Sequence, residues 1–491
     1  MKLTSIVRNI NVYESIGNMD IRIDGIHFDS RRIKENYIFC VVPEVPGVIK
    51  DRKEYINNAI QNGAKALLVN EFILQYDIPQ IKVKDLWKSL AIISCVINGY
   101  PSNELNLIGI TGTNGKTTTA HMIHGIFNFA NEKSAVLGNL GLYMDGEIFE
   151  YEGNTPESPD LQQFFRKMVM SNTKYCIMEV SSHGLDLGRV LGCDFNTAVF
   201  TNLTRDHLDY HKSFEEYRAA KGLLFSRLGN DYKSDKLAIL NLDDNSSNYF
   251  NKITSAPVIT YGINSKADIN AENIQLTSSG TEFTVKTFKG NIHIKLKSLG
   301  KFNVYNALAA IAIAINENIS LNTIKLGLEQ LQNVRGRMEI VENNENITVI
   351  IDYAHTPDGL INVLDSIKEF KGEDSKLITV FGCGGNRDKE KRPLMGGISG
   401  EYSDYTIVTS DNPRFEDPEV IIKDIVEGIR VKTNNYESIV DRRKAIERAV
   451  EIASEGDVIL IAGKGHEEYQ IINGEKNPFN DLEIVNSFFG K

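Results

Sequence analysis

Two patterns of apolar and polar positions recur along this chain. Short continuous apolar runs stop abruptly at Gly, Ser, Thr or Asp. Between them lie stretches with apolar residues three and four apart. The first pattern predicts buried strands and the second predicts helices packed on them, an alternation that builds mainly parallel α/β sheets. From about residue 20 to 98, "YIFCVV" (37–42) and "AKALLV" (64–69) are predicted strands, with a helix in "KEYINNAIQNGA" between them. "PSNEL" (101–105) breaks the pattern and sets a boundary near residue 100. Beyond it, "LNLIGITGTNGKTTTAHMIHGIFNFA" reads as strand, Gly-rich turn and helix, with Met122, Ile123, Ile126, Phe127 and Ala130 at helical spacing. Strands follow at "YCIMEV" (175–180), "TAVFTN" (197–202) and "LAILNL" (237–242), then a long buried helix at "NVYNALAAIAIAIN" (303–316).

Near "NVRGRME" (333–339) the alternation restarts. "TVIIDYAH", "LITVFGCGG", "DYTIVTS" and "VILIAGKGH" are predicted strands, with helices such as 358–370 and 441–453 between them. The expected architecture is therefore α/β in three domains: a small N-terminal α/β domain (1–100), a central parallel-sheet domain (101–334) and a C-terminal doubly wound, Rossmann-like domain (335–491). Doubly wound sheets bind ligands beyond the carboxyl ends of their strands. "SDNPR", "GCGGNRD" and "GKGHE" all fall at such ends and are expected to converge.

Length supports the division, because 491 residues exceed what one core can organise. Composition is that of an ordinary soluble protein, 42% hydrophobic and 24% charged. A net charge of −11 without a basic block argues against nucleic-acid binding, yet leaves room for a locally positive pocket and an anionic small substrate. The start lacks a signal-peptide apolar core. The longest apolar stretch, Ala307 to Ile315, is too short to cross a membrane. Five cysteines without ligand spacing fit reduced thiols, so a cytoplasmic location is expected.

The turn "TGTNGKTTT" (111–119) carries the first chemistry. Gly112 and Gly115 let backbone N–H groups close on phosphate oxygens. Lys116 can reach terminal phosphates, and the Thr117 hydroxyl can hold Mg²⁺. The strict loop pattern would place Gly at position 110, where Ile110 stands, with Gly109 one place early. A chance Gly-Lys-Thr turn is the alternative, but the strand–loop–helix setting favours a nucleotide. The second chemistry lies in "DYTIVTSDNPRFEDP" (404–418), where Asp411, Asn412 and Pro413 make a stiff turn that holds Arg414 out from a strand end. A surface ion pair from Arg414 to Asp411 or Glu416 is the alternative to a ligand there.

The variant turn resembles that of the Mur ligase family, ATP-dependent enzymes that add amino acids to the peptidoglycan precursor. "MEVSSHGLDLGRV" (178–190), "FTNLTRDHLDYH" (200–211), "YRAAKGLLF" (217–225), "KFNVYNALAA" (301–310), "RGRMEIV" (335–341), "IDYAHTPDGL" (351–360), "GCGGNRDKEKRP" (382–393), "SDNPR" and "AGKGHE" agree with it, in order. The resemblance implies ATP bound along Thr111, Gly112, Thr113, Asn114, Gly115, Lys116, Thr117 and Thr118. Asn303 is the implied adenine contact, and Arg337 and Asp352 the phosphate and ribose contacts. It implies Mg²⁺ held by Thr117, Glu179 and His207, and Lys221 carbamylated by CO₂ as a further anionic ligand. Lys116, Lys221, Glu179 and His207 are then the catalytic set.

The implied substrates are a UDP-N-acetylmuramoyl dipeptide and diaminopimelate, with a monomer as the working unit. Ser30 would contact uridine, and Asn154, Thr155, Ser181 and Arg189 the diphosphate, sugar and peptide. Arg387, Asp411, Asn412, Pro413, Arg414, Gly463 and Glu467 would hold the amino acid. Arg414 and Arg387 face its distal carboxylate, and Glu467 its distal ammonium. The chain departs from the usual pattern at Asn154, where many relatives have Thr, and at Leu187, where many have Gln. The loop "VPEVPGVIKDRKEY" also lacks an Asp-Gly-His type of turn. A lysine-adding or folylpolyglutamate-type ligase is the alternative within the superfamily. A nucleotide-binding regulator is the alternative outside it, and would need neither Lys221, His207 nor Arg414.

Overall fold

The apolar runs pair into three principal sheets in a computed structural model that describes residues 1–43, 52–151, 153–229, 235–277, 280–331 and 334–489. In the first, Gly25–His27, Tyr37–Cys40, Ala64–Val69 and Gln80–Val83 run parallel, and Val12–Ile16 closes the edge antiparallel. Of the loop read as "VPEVPGVIKDRKEY", residues 44–51 lie outside the described residues.

The second sheet has eleven strands. Its centre is parallel, with Asn106–Thr111 between Thr197–Phe200 and Tyr175–Glu179. Antiparallel strands extend both ends: Gly141–Met144 and Glu147–Phe149 on one side, Gly280–Thr287 and Gly290–Leu296 on the other. These additions escape the reading of continuous apolar runs for a physical reason. Gly290–Leu296 buries only alternate residues, because one of its faces meets solvent. The helix Lys301–Asn316 packs beneath, with every residue from Val304 to Ile315 buried except Tyr305. Burying each of its isoleucines contributes roughly 1.5–3 kcal/mol. Gly300 is its N-cap, so Asn303 sits inside the first turn rather than capping it.

The third sheet has six strands. Val458–Ala462, last of its parallel strands in the chain, lies between Thr348–Asp352 and Leu377–Phe381, with Tyr405–Val408 next. This insertion is a topological switch point, which opens a crevice at the strands' carboxyl ends.

Side chains tie neighbouring domains together. Arg32 donates to Asp160 at 2.6 Å between the first and second domains. Arg166 donates to Asn98 O at 2.6 Å and to Glu104 at 2.9 Å. Between the second and third, Asn114 and Thr204 both donate to Asp358, at 3.1 and 3.3 Å. Among the described residues no helix is long and apolar enough to cross a membrane.

Candidate active site

A cleft of about 1290 Å³ opens where the glycine-rich turn meets the third sheet. The turn follows Asn106–Thr111 and starts the helix Lys116–Phe129. Gly115, at φ +85°, is the helix N-cap, and a Cβ there would run into Asn306 Oδ1. A Cβ on Gly112 would run into Thr201 Oγ1. Both positions therefore need glycine for space as well as for backbone freedom. Lys116 Nζ folds back onto Gly112 O at 2.9 Å and Thr113 O at 2.8 Å. Its pKa is lowered by burial and by Arg337, against the pull of Glu179 and Asp206.

Lys221 is buried, and its Nζ also donates to Gly112 O, at 2.8 Å. Two lysines thus converge on one carbonyl, and no carboxylate lies within ion-pair distance of Lys221 among the described residues. Burial, then Lys116, holds the Lys221 amine well below its usual pKa, which favours the neutral form.

Glu179 ends its strand buried and accepts from Thr117 Oγ1 at 2.9 Å and Asn139 N at 3.0 Å. Arg337 reaches across the domain boundary to donate to the same Thr117 hydroxyl at 3.2 Å, with its guanidinium over the Tyr353 ring. His207 takes a left-handed backbone at φ 54° and sets Nε2 3.3 Å from Asp206. Burial keeps that imidazole neutral. Burial opposes the Asp206 charge too, but the nearby Lys391 ammonium and the hydrogen bond from His207 N at 2.9 Å outweigh it and hold the carboxyl below the usual carboxylate range. Among the described residues no group of three or more His, Cys, Asp or Glu is arranged to hold a metal ion.

On the third-domain wall, the loop 411–414 meets the turn 463–467. Asp411 Oδ1 accepts from Asn412 N at 2.6 Å, whereas its buried Oδ2 has no hydrogen-bond partner. Arg414 Nη1 donates to Gly385 O at 2.9 Å, and burial, then Arg387, lowers the guanidinium's pKa. The surface ion pair considered as an alternative does not form. Glu416 is taken by Arg392 and Lys389, and Arg414 has no carboxylate within ion-pair distance among the described residues.

The cleft collects Gly112, Thr113, Asn114, Gly115, Lys116, Thr117, Asn154, Glu179, Ser181, His207, Lys221, Arg337, Arg387, Asp411, Asn412, Arg414, Gly463 and Glu467. The remaining candidates do not line it. Thr111 and Thr118 are buried beneath the turn, and Pro413 behind its loop. Asn303 uses both amide atoms inside the protein, donating to Leu299 O at 2.7 Å and accepting from Asn306 at 3.0 Å. Asp352 accepts from Met338 N and Ala354 N, both at 2.7 Å, which ties the start of the third domain to its first parallel strand. Thr155, Ser181 and Arg189 form a neighbouring group: Thr155 donates to Ser181 Oγ at 3.0 Å, and Arg189 to Thr155 O at 3.0 Å. Ser30 is buried in the first domain, its carbonyl held by Asn62 at 2.9 Å.

Sequence reasoning missed Asn139, Tyr151, Asp206, His355, Lys391 and His466, all of which line the cleft. Asp206 and His466 sit within motifs quoted for their neighbours, so a denser reading of those motifs could have found them. Tyr151 carries no such signal.

Comparison with known proteins follows the same geography. A model described as the Mur ligase middle domain matches residues 110–314, and one described as Mur ligase, glutamate ligase domain matches residues 336–465. A Bacillus cereus protein named UDP-N-acetylmuramoyl-L-alanyl-D-glutamate–2,6-diaminopimelate ligase is 45% identical over 99% of this chain and 98% of its own. A solved structure of an enzyme of that name is 31% identical and covers 100% of this chain and 99% of its own, with a TM-score of 0.69. The ligase MurF of Thermotoga maritima, solved in complex with ADP, shares the fold at 17% identity, covering 95% of this chain and 96% of its own with a TM-score of 0.65.

Proposed function

The chain belongs to the Mur ligase family, and we propose that it joins meso-2,6-diaminopimelate to UDP-N-acetylmuramoyl-L-alanyl-D-glutamate at the expense of ATP, a step of peptidoglycan precursor synthesis. The observation that carries the choice of amino acid is the pair Arg387 and Arg414. They face one cleft at neighbouring strand ends, and Arg414 has no acid partner among the described residues. A planar fork facing a cleft suits a carboxylate, and the distal carboxylate is what distinguishes diaminopimelate from lysine.

The chemistry follows from the substrates. A carboxylate repels an amine and has no good leaving group. Transfer of the γ-phosphoryl group of ATP to the carboxylate oxygen makes an acyl phosphate and ADP. The amine then attacks the acyl carbon, the C–O bond to phosphate breaks, and phosphate leaves with the amine proton passing to solvent or a base. Such a transfer needs positioned cations around the phosphate oxygens. Lys116 lies at the turn for that task, held by two carbonyls it can exchange for phosphate. Arg337 comes from the third domain to the Thr117 hydroxyl, so closure of that domain would complete the site.

The residues fit Mg²⁺. Thr117 and Glu179 offer adjacent hard oxygens, and this ion is ordinarily held by one or two carboxylates together with phosphates and waters. When bound, it would neutralise phosphate charge. Lys221 fits carbamylation. Its buried amine is biased to the neutral form that reacts with CO₂, releasing one proton and leaving an anionic oxygen donor in place of a second ammonium beside Lys116.

The test is phosphate release from ATP with the UDP-linked dipeptide and, in turn, diaminopimelate, L-lysine, L-glutamate or no amino acid. Release that requires diaminopimelate is expected. Preference for lysine or glutamate points to the other ligases, and release independent of any amino acid to a nucleotide-binding regulator.

A further inference from the structure

We propose that Lys464 is a positioning residue for the amino-acid site, acting through Glu467 rather than on substrate; the proposal rests on the reading of that site given above. Lys464 is fully buried and does not line the cleft, whereas Glu467 and Asn412 do. Its Nζ donates to Glu467 Oε2 at 2.9 Å and to Asn412 Oδ1 at 3.2 Å. Asn412 Nδ2 closes the ring by donating to the same Glu467 oxygen at 2.8 Å.

The ring fixes two cleft residues by their inner atoms only. Asn412 Oδ1 additionally accepts from Ile471 N at 2.9 Å, which docks the hairpin Tyr469–Ile472 and Glu475–Pro478 beside the loop. Glu467 has one oxygen held twice, and its Oε1 has no protein hydrogen bond among the described residues. That leaves a carboxylate oxygen of fixed direction in the cleft, able to meet an ammonium. Orientation is costly to hold on a glutamate by packing alone, because its rotamer freedom is large. A buried ammonium supplies the restraint, and the carboxylate in turn makes the buried ammonium tolerable. The backbone agrees: Gly463 and Gly465 flank Lys464 at φ +111° and +54°, and a Cβ at 463 would approach Asp411 Oδ2 to 2.8 Å. The turn that carries Lys464 is thereby pressed against the loop it orients.

The experiment is a double-mutant cycle of Lys464→Met and Glu467→Gln, read as KM and kcat for each of the three substrates. The amino acid used is whichever one the parent accepts, so a wrong amino-acid assignment shows in the parent and leaves the cycle readable. Lys464→Met is expected to raise the amino-acid KM about 10- to 100-fold, the worth of one charge-assisted bond, with the KM values for ATP and the UDP-linked dipeptide within about threefold. The double variant should bind the amino acid no worse than Glu467→Gln alone, because the lysine acts through that glutamate. If Lys464→Met does not fold, the double variant, which has no unpaired buried charge, is compared directly with Glu467→Gln, and equal KM values are again expected. Multiplying losses in the double variant, or equal losses for all three substrates, would overturn the proposal.

Discussion

Replacing Arg414 with alanine should act on one substrate and spare the other two. The backbone of residue 414 anchors the hairpin through its N–H to Ile471 O at 3.0 Å and its carbonyl to Asn473 N at 2.6 Å, and alanine keeps both bonds. Its φ of +55° strains arginine and alanine alike, so the exchange adds no backbone cost. What disappears is a guanidinium that, among the described residues, bonds to the carbonyls of Gly385 and Asn412 alone. If it forms two charge-assisted bonds to the distal carboxylate at roughly 1.5–3 kcal/mol each, the gross loss is about 3–6 kcal/mol. Partial exposure, surrender of the present carbonyl bonds and relief of repulsion with Arg387 reduce this to about 2–4 kcal/mol. The KM for diaminopimelate should therefore rise about 30- to 1000-fold. Arg414→Lys should recover only part, because a point charge cannot form a planar fork. Steady-state kinetics with diaminopimelate and L-lysine on parent and both variants decide it. A diaminopimelate KM within a few-fold of the parent in Arg414→Ala, or a parent that prefers lysine, refutes the reasoning.

Gly115→Ala should lose ATP-dependent turnover while remaining folded, since its Cβ meets Asn306 Oδ1 in the phosphate turn; calorimetric binding of ATP at parental affinity would contradict this. Lys221→Ala should be nearly inactive and partly rescued by formate or acetate, and rescue that fails in every carboxylate tested, with a free amine by mass in the active parent, would remove the carbamate. In CO₂-free buffer the folded-state pKa of Lys221 lies below its unfolded value. The unfolded chain then binds the extra proton, and stability rises with pH between the two values. Lys221→Met should accordingly melt above the parent near neutral pH, with the gap closing as pH approaches 10; a gap that does not change with pH would show that folding does not lower the pKa of this amine.

Strand cores buried on both faces were mostly legible, although the fully buried Ser134–Gly138 was not among the expected strands. "AKALLV" is the strand Ala64–Val69, and four parallel strands of the third sheet begin within a residue of their expected starts, while the short edge strand Tyr436–Ser438 was not expected. Ends were less legible. "YIFCVV" stops pairing at Cys40, because an apolar residue can be buried by a loop as readily as by a strand. The convergence of the "SDNPR", "GCGGNRD" and "GKGHE" ends was legible too, since doubly wound topology dictates it. Contacts fixed by one rotamer or one domain angle were not. Nothing in spacing says that Asn303 turns its amide to Leu299 O, or that Lys221 and Lys116 share a carbonyl.

Those shared contacts explain why the site's charge can be worked out only in three dimensions. Along the chain Lys116, Lys221, Arg337, Arg387 and Arg414 are five basic residues on an acidic protein, scattered over about three hundred residues. In the fold they line one cleft, with Asp206 and Glu179 on one wall and Asp411 and Glu467 on the other. Each acid is already committed in part: Glu179 to Thr117 and Asn139, Glu467 to Lys464 and Asn412, Asp411 through one oxygen. The basic side chains are held mainly by carbonyls, which orient them without pairing them to an acid. An overall charge of −11 thus coexists with a cleft in which basic side chains reach both the phosphate turn and the third-domain wall. Basic groups placed locally at those two points can meet a polyphosphate and a carboxylate, and this is why an acidic composition never argued against such substrates.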